Sequence, residues 1–200
     1  GTITRPGVWG GANWGGGAFD PETGTLYLKT VGLGGVFRIQ PFDRENAGAG
    51  RAAEVDADYV NRRAVAGFRR SIPFFKPPYA RLVAIDLNRG EIAWRVPFGD
   101  MPYLREELES LGIDHPGPLG AQGPAGGLLT KGGLLFVGGG DRAFHAVDKA
   151  TGRELWSVPT LETTATPMTY RTGAGRQFVV IGTGRGTEAT LLAFALPEEE

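Results

Sequence analysis

The feature that most constrains this chain is a turn that occurs twice. Ala84-x-Asp86-x-x-x-Gly90-x-x-x-Trp94 returns as Ala146-x-Asp148-x-x-x-Gly152-x-x-x-Trp156, at an offset of 62 residues. Self-similarity at a fixed period marks a repeat architecture. Each residue type has a task in it. Asp caps the turn with its carboxylate, Gly takes a positive φ, and Trp four residues later offers a large flat ring to an adjoining sheet. Ala18-x-Asp20-x-x-Thr23-Gly24 echoes the turn without the Trp.

The second copy lies in Gly126–Ser157, which reads as four strands: Leu128–Thr130, Leu134–Val137, Ala143–Val147 and Glu154–Ser157. Each run is apolar and β-prone, and each break carries Gly or Asp. A four-stranded antiparallel sheet of this size is one propeller blade, with both faces to bury against neighbours. The expected architecture is therefore all-β. One blade spans 14–96, from strands at Trp14–Phe19, Thr25–Thr30 and a strand–turn–strand over Ala80–Val96, interrupted by an insertion over 41–78. A connection over 97–124 holds a helix near Met101–Leu111; a complete blade follows over 125–158, then a partial blade over 163–196. Strands of that partial blade are expected at Thr166–Tyr170, Gln177–Gly182 and Thr190–Ala195. Val36–Ile39 reads as a further short strand and Glu54–Val65 as a helix. The block Pro73–Tyr79 is expected outside the sheets, because proline has no ladder donor. Propellers close with ~4–8 blades, so these sheets are expected to be part of a larger ring.

Composition agrees and excludes other classes. Gly at 33 and Pro at 14 of 200 residues, without a collagen period, fit a turn-rich β fold. A net charge of −1 offers no basic surface for nucleic acid, and no run reaches the ~18 apolar residues of a membrane span. The absence of cysteine excludes disulfides and thiolate metal sites. No Ser/His/Asp or Cys/His constellation and no metal-spaced His/Asp cluster is present. Gly182-x-Gly184-x-Gly186 lacks the following helix that a phosphate site uses.

The repeated turn resembles the tryptophan-docking repeat of pyrroloquinoline quinone (PQQ)-dependent dehydrogenases. Three further stretches stand in that family's order: Gly10-Gly11-Ala12-Asn13-Trp14; Gly126-Gly127 with Thr130; and Ala165-Thr166-Pro167-Met168-Thr169-Tyr170 ahead of Gly175–Val180. ATPMTY, GRQFVVIGTGRG and the closing LLAFALP are similar to the end of quinoprotein glucose dehydrogenases. The resemblance implies an eight-bladed propeller holding PQQ and a divalent cation, calcium or magnesium. It also implies an aspartate base that takes the substrate's hydroxyl proton while hydride passes to the quinone. Base, cation ligands and most cofactor contacts fall earlier in the family's sequence and match no position here, so this portion alone is expected to be inactive. The substrate implied is a sugar or alcohol, the electron acceptor a quinone or cytochrome, the remaining partner the rest of the propeller, and the compartment the periplasm.

Carried over residue by residue, Asn13 matches the family's Gly-Gly-x-Asn-Trp asparagine, a cofactor contact, and Trp14 lies beside it near the pocket floor. Arg185, in the closing glycine loop, has two readings: a residue facing the ring axis, where a PQQ carboxylate is in reach, or a solvent-exposed loop arginine. That loop has no Trp near Gly184–Glu188, unlike the alcohol-oxidising members, which favours the sugar-oxidising branch. Trp94 and Trp156 read as packing between blades. His115 is a candidate for the funnel above the cofactor, His145 a packed or surface residue, and Asp141 a turn aspartate. The competing reading is a non-catalytic propeller of the same repeat, acting as a protein-assembly scaffold. A scaffold has no need of Asn13 or of a Gly-lined axial loop.

Overall fold

The computed structural model describes residues 1–7, 10–43, 57–68, 72–114 and 116–197. The repeated turns form as their residues require. Asp86 Oδ1 accepts the amides of Asn88 and Arg89, and Asp148 Oδ1 those of Ala150 and Thr151. Gly90 and Gly152 take φ of 70° and 73°. The two copies share one more irregularity. The ladder shifts register between Ala84 and Ile85, and again between Ala146 and Val147, so that Ala84 faces Trp94 and Ala146 faces Trp156. Such a bulge re-aims the side chains that follow it.

Around these turns lie three sheets. The first orders β2 (Gly17–Asp20), β3 (Thr25–Val31), β8 (Ala80–Asp86) and β9 (Glu91–Pro97). The second orders β10 (Gly127–Leu129), β11 (Leu134–Gly138), β12 (Ala143–Asp148) and β13 (Glu154–Pro159). The third has three strands: β14 (Met168–Arg171), β15 (Gln177–Thr183) and β16 (Thr190–Phe194). All pairs are antiparallel, and all join sequential strands except β3 and β8, which flank the segment between them, as in propeller blades with an insertion.

The first two sheets meet over Tyr27, Leu82 and Ala84 on one side and Leu135, Val137 and Val147 on the other. Trp94 joins them as the repeat predicts. Its ring lies over Gly152, whose missing Cβ would stand 2.7 Å from Cζ3, and its Nε1 donates to the Lys149 carbonyl at 3.0 Å. Lys149 Nζ reaches back to Asp20 at 2.8 Å. Trp156 packs edge-on against Phe144 and Phe194, joining second sheet to third, but stays 41% exposed. The third sheet carries no Asp–Gly turn for it to dock on.

α1 (Pro102–Ser110) forms inside the expected span. Proline at its start needs no intrahelical donor, and Leu104 and Leu108, one turn apart, bury against Val31, Leu33 and Tyr79. Residues 41–78 differ from expectation. β4 (Gly35–Pro41) pairs with β1 (Thr2–Thr4) and with β5 (Tyr59–Val65), so the helix expected over Glu54–Val65 is replaced by strand from Tyr59 onward; residues 54–56 lie outside the described residues. The reason is non-local: the open edge of β4 supplies ladder partners that outweigh the segment's Ala and Arg content. The proline block is almost free of sheet. Only Pro73, ending β7 (Ile72–Pro73), pairs with Gly67 of β6 (Gly67–Phe68). Trp14, expected in the first strand, sits in the turn before it.

Candidate cofactor and substrate site at the converging loops

The segments that lead into β2, β10 and β14 converge at one end of the three sheets. Gly15 carries the contact: its carbonyl accepts from Thr166 Oγ1 at 3.2 Å. A Cβ on Gly15 would lie 2.9 Å from the backbone of Ala125, and one on Gly126 would collide with Thr166 Oγ1 and the Gly15 carbonyl. Glycine at both positions lets three backbones touch. The structure thus gathers the three stretches singled out in the sequence, Gly10–Trp14, Gly126-Gly127 and Ala165–Tyr170.

Within this cluster the Asn13 carbonyl accepts from Gly16 N–H at 3.0 Å and its Oδ1 from Trp14 N–H at 2.7 Å. That closes a local turn on an exposed residue. The Trp14 indole is 77% exposed. A cleft of about 380 Å³ is walled by Glu162, Thr164, Ala165, Thr183 and Thr190. Thr183 is 3% exposed and its Oγ1 has no hydrogen-bond partner. Arg185 follows at the rim and donates to Glu162 Oε1 at 2.6 Å, while Gly184 N–H donates to the Glu162 carbonyl at 2.9 Å. Arg185 is therefore held by Glu162, an interaction its sequence context did not announce.

A planar quinone tricarboxylate calls for flat apolar surface and for donors at its edge. The exposed Trp14 indole, the orphaned Thr183 hydroxyl and the Arg185 guanidinium are groups of that kind. A divalent cation has no such match: among the described residues no three His, Asp or Glu side chains gather at ligand spacing.

A second polar cluster, which no local motif announces, lies between the first two sheets. His145 Nε2 is 3.1 Å from Asp141 Oδ1, and Nδ1 is 2.7 Å from Glu154 Oε2. Two carboxylates facing the two ring nitrogens favour the imidazolium form. Burial works against that charge, but Asp141 and Glu154 together outweigh it and raise the pKa above the usual histidine value. Burial likewise opposes the Asp141 carboxylate; the His145 hydrogen bond and charge overcome it and lower its pKa. Asp141, far from a simple turn residue, also accepts the Asp100 amide at 3.1 Å. Lys29 is buried beside it and donates to the carbonyls of Gly123 and Gly139; burial pulls its pKa down to about 8, against the attraction of Asp141. This cluster joins the first two sheets. His115 lies outside the described residues.

Comparison with known proteins agrees with this geometry. Residues 1–179 match the model of the PQQ glucose/ethanol/alcohol dehydrogenase β-propeller domain. A probable quinate dehydrogenase (quinone) of Xanthomonas campestris pv. juglandis is 34% identical over 98% of the chain and 27% of its own length. Quinoprotein glucose dehydrogenase A of Acinetobacter calcoaceticus is 28% identical over 100% of the chain and 26% of its own length. The crystal structure of quinohemoprotein alcohol dehydrogenase from Comamonas testosteroni superposes with a TM-score of 0.62 at 24% identity, covering 99% of the chain and 29% of that protein, a likeness of fold. The sheets and the converging loops define a segment of a PQQ-type β-propeller. The chain belongs to the PQQ-dependent dehydrogenase family, and it spans little more than a quarter of the length of the relatives it matches. Among the described residues no helix is long and apolar enough to cross a membrane.

Proposed function

We propose that this chain forms the closing part of a PQQ-dependent dehydrogenase that oxidises a sugar or other polyhydroxy alcohol. The observation that carries the reading is the meeting of the three family stretches at Gly15, Gly126 and Thr166, beside a cleft with an orphaned hydroxyl. Asn13 offers its amide to the edge of the cofactor and Trp14 its indole face; Arg185 offers a guanidinium to a carboxylate at the cleft mouth. Bound PQQ would supply the hydride acceptor for the substrate's carbinol carbon.

This chain's own part is to orient. Glycine at 15 and 126 keeps the loop backbones close enough to form one wall, and Thr183 gives a buried hydroxyl to a group inside the cleft. The aspartate base and the ligands of a calcium or magnesium ion are assigned to the remaining blades, so the chain by itself is expected to show no turnover. A periplasmic location and a quinone or cytochrome as electron acceptor complete the proposal. The test is dye-linked dehydrogenase activity of the intact protein after reconstitution with PQQ and calcium. Activity that needs both, and is lost on chelation, supports the reading. A folded, PQQ-loaded protein that oxidises no sugar, polyol or hydroxy acid contradicts it.

A further inference from the structure

The cleft has a charge arrangement that a neutral sugar does not use. Among the described residues its only charged wall is Glu162, and a lone carboxylate there would repel anions. Arg185 cancels it from the rim through a single contact, Nη2 to Oε1 at 2.6 Å. The side chains are 71% and 38% exposed, and a pair so open to water contributes little net stability and exchanges partners cheaply. The guanidinium keeps its other donors in a planar fork that matches a carboxylate two-point. Thr164, Thr190 and the buried, partnerless Thr183 also line the cleft, with hydroxyls that suit those of a polyhydroxy ligand.

We infer that Arg185 is a specificity-determining residue: it leaves Glu162 to take the carboxylate of a hydroxy-acid substrate, whose hydroxyls meet the threonines of the cleft. This rests on the dehydrogenase reading and narrows its substrate class to an anionic polyhydroxy acid. Glu162 acts as the gate. It holds Arg185 in place when the cleft is empty and competes with the incoming anion. The probable quinate dehydrogenase among the relatives is consistent with an acid of this kind.

The carboxylate that Arg185 meets has two possible sources, the substrate or the cofactor, and the experiment separates them. Quinate and its neutral methyl ester serve as probes on the intact protein reconstituted with PQQ and calcium. The wild type should use the acid with a kcat/KM ~10–100-fold above the ester, the range of a charge-assisted contact. Arg185→Met should bring that ratio to about one, chiefly through KM, and Arg185→Lys should restore part of it. Glu162→Gln should do the opposite and lower KM for quinate, because the gate no longer competes; a merely structural ion pair cannot give this change of sign. Equal use of acid and ester by the wild type overturns the inference, as does a raised KM in Glu162→Gln. Loss of bound PQQ in Arg185→Met, read from the cofactor's absorbance, also overturns it and assigns Arg185 to the cofactor. A wild type that takes up no PQQ refutes the dehydrogenase reading itself, and the two failures are thus distinguishable.

Discussion

The repeat provides its own matched experiment. Gly90 and Gly152 occupy the same position in the two copies, with φ of 70° and 73°. Alanine at either carries the left-handed strain of about 1–2 kcal/mol. Around Gly90 no atom lies within 4 Å of an added Cβ, so Gly90→Ala should cost that strain and no more. At Gly152 the Cβ would stand 2.7, 2.8 and 3.1 Å from Cζ3, Cε3 and Cη2 of Trp94. The ring cannot stay. Its Nε1 bond to the Lys149 carbonyl, 3.0 Å long, is worth about 0.5–1.5 kcal/mol. Its contact with Tyr27, centroids 5.9 Å apart, adds a share of about 0.5–1.5 kcal/mol. Gly152→Ala should therefore destabilise by about 1–2 kcal/mol more than Gly90→Ala, the sum of the bond and part of the ring contact. Urea unfolding followed by tryptophan fluorescence gives both values on one footing. Equal losses would refute the argument that Trp94 docking joins the first two sheets.

Two predictions concern the buried cluster. Because the His145 pKa is raised on folding, its contribution is fully present below pH ~6.5 and is lost as pH rises through the folded value. His145→Gln should thus narrow its deficit against wild type as pH rises through that window; a deficit independent of pH contradicts the imidazolium assignment. Lys29 has the opposite sign. With a folded pKa of about 8 and an unfolded one near 10.5, the unfolded chain binds more protons between these values and stability should rise with pH there. Lys29→Met should abolish that rise and cost about 1–3 kcal/mol at neutral pH, since the Gly123 and Gly139 carbonyls lose their donor. An unchanged pH curve in the variant counts against a buried, titrating Lys29.

Much of the architecture was legible because local chemistry and tertiary role coincide. Asp86 and Asp148 cap turns that their own sequence defines, and glycine four residues on takes the φ that others avoid. The gathering of the three loops was readable only through family order, since no local rule links Gly15 to Thr166 across 151 residues. Elsewhere the deciding partner is remote. Tyr59–Val65 is strand because β4 offers an edge, whereas its Ala and Arg content suggests helix. Lys29 sits on the inward face with Tyr27 and Val31, a position that strand alternation identifies but a lysine disguises; its acceptors lie 94 and 110 residues away. Asp141 reads as an ordinary turn aspartate until the Asp100 amide and His145 close on it. Arg185 reads as a loop arginine until β15 and the segment after β13 bring Glu162 to it.

The most direct measurement is a fluorescence titration of PQQ, with calcium present, into the intact protein and into an Asn13→Ala variant of equal thermal stability. Saturable binding, weakened in the variant by the loss of one amide contact, about 2–10-fold for a bond worth 0.5–1.5 kcal/mol, is the predicted result. Equal affinity in both proteins would remove Asn13 from the cofactor's surroundings. No binding by the folded wild type would contradict the central claim that these loops close around PQQ.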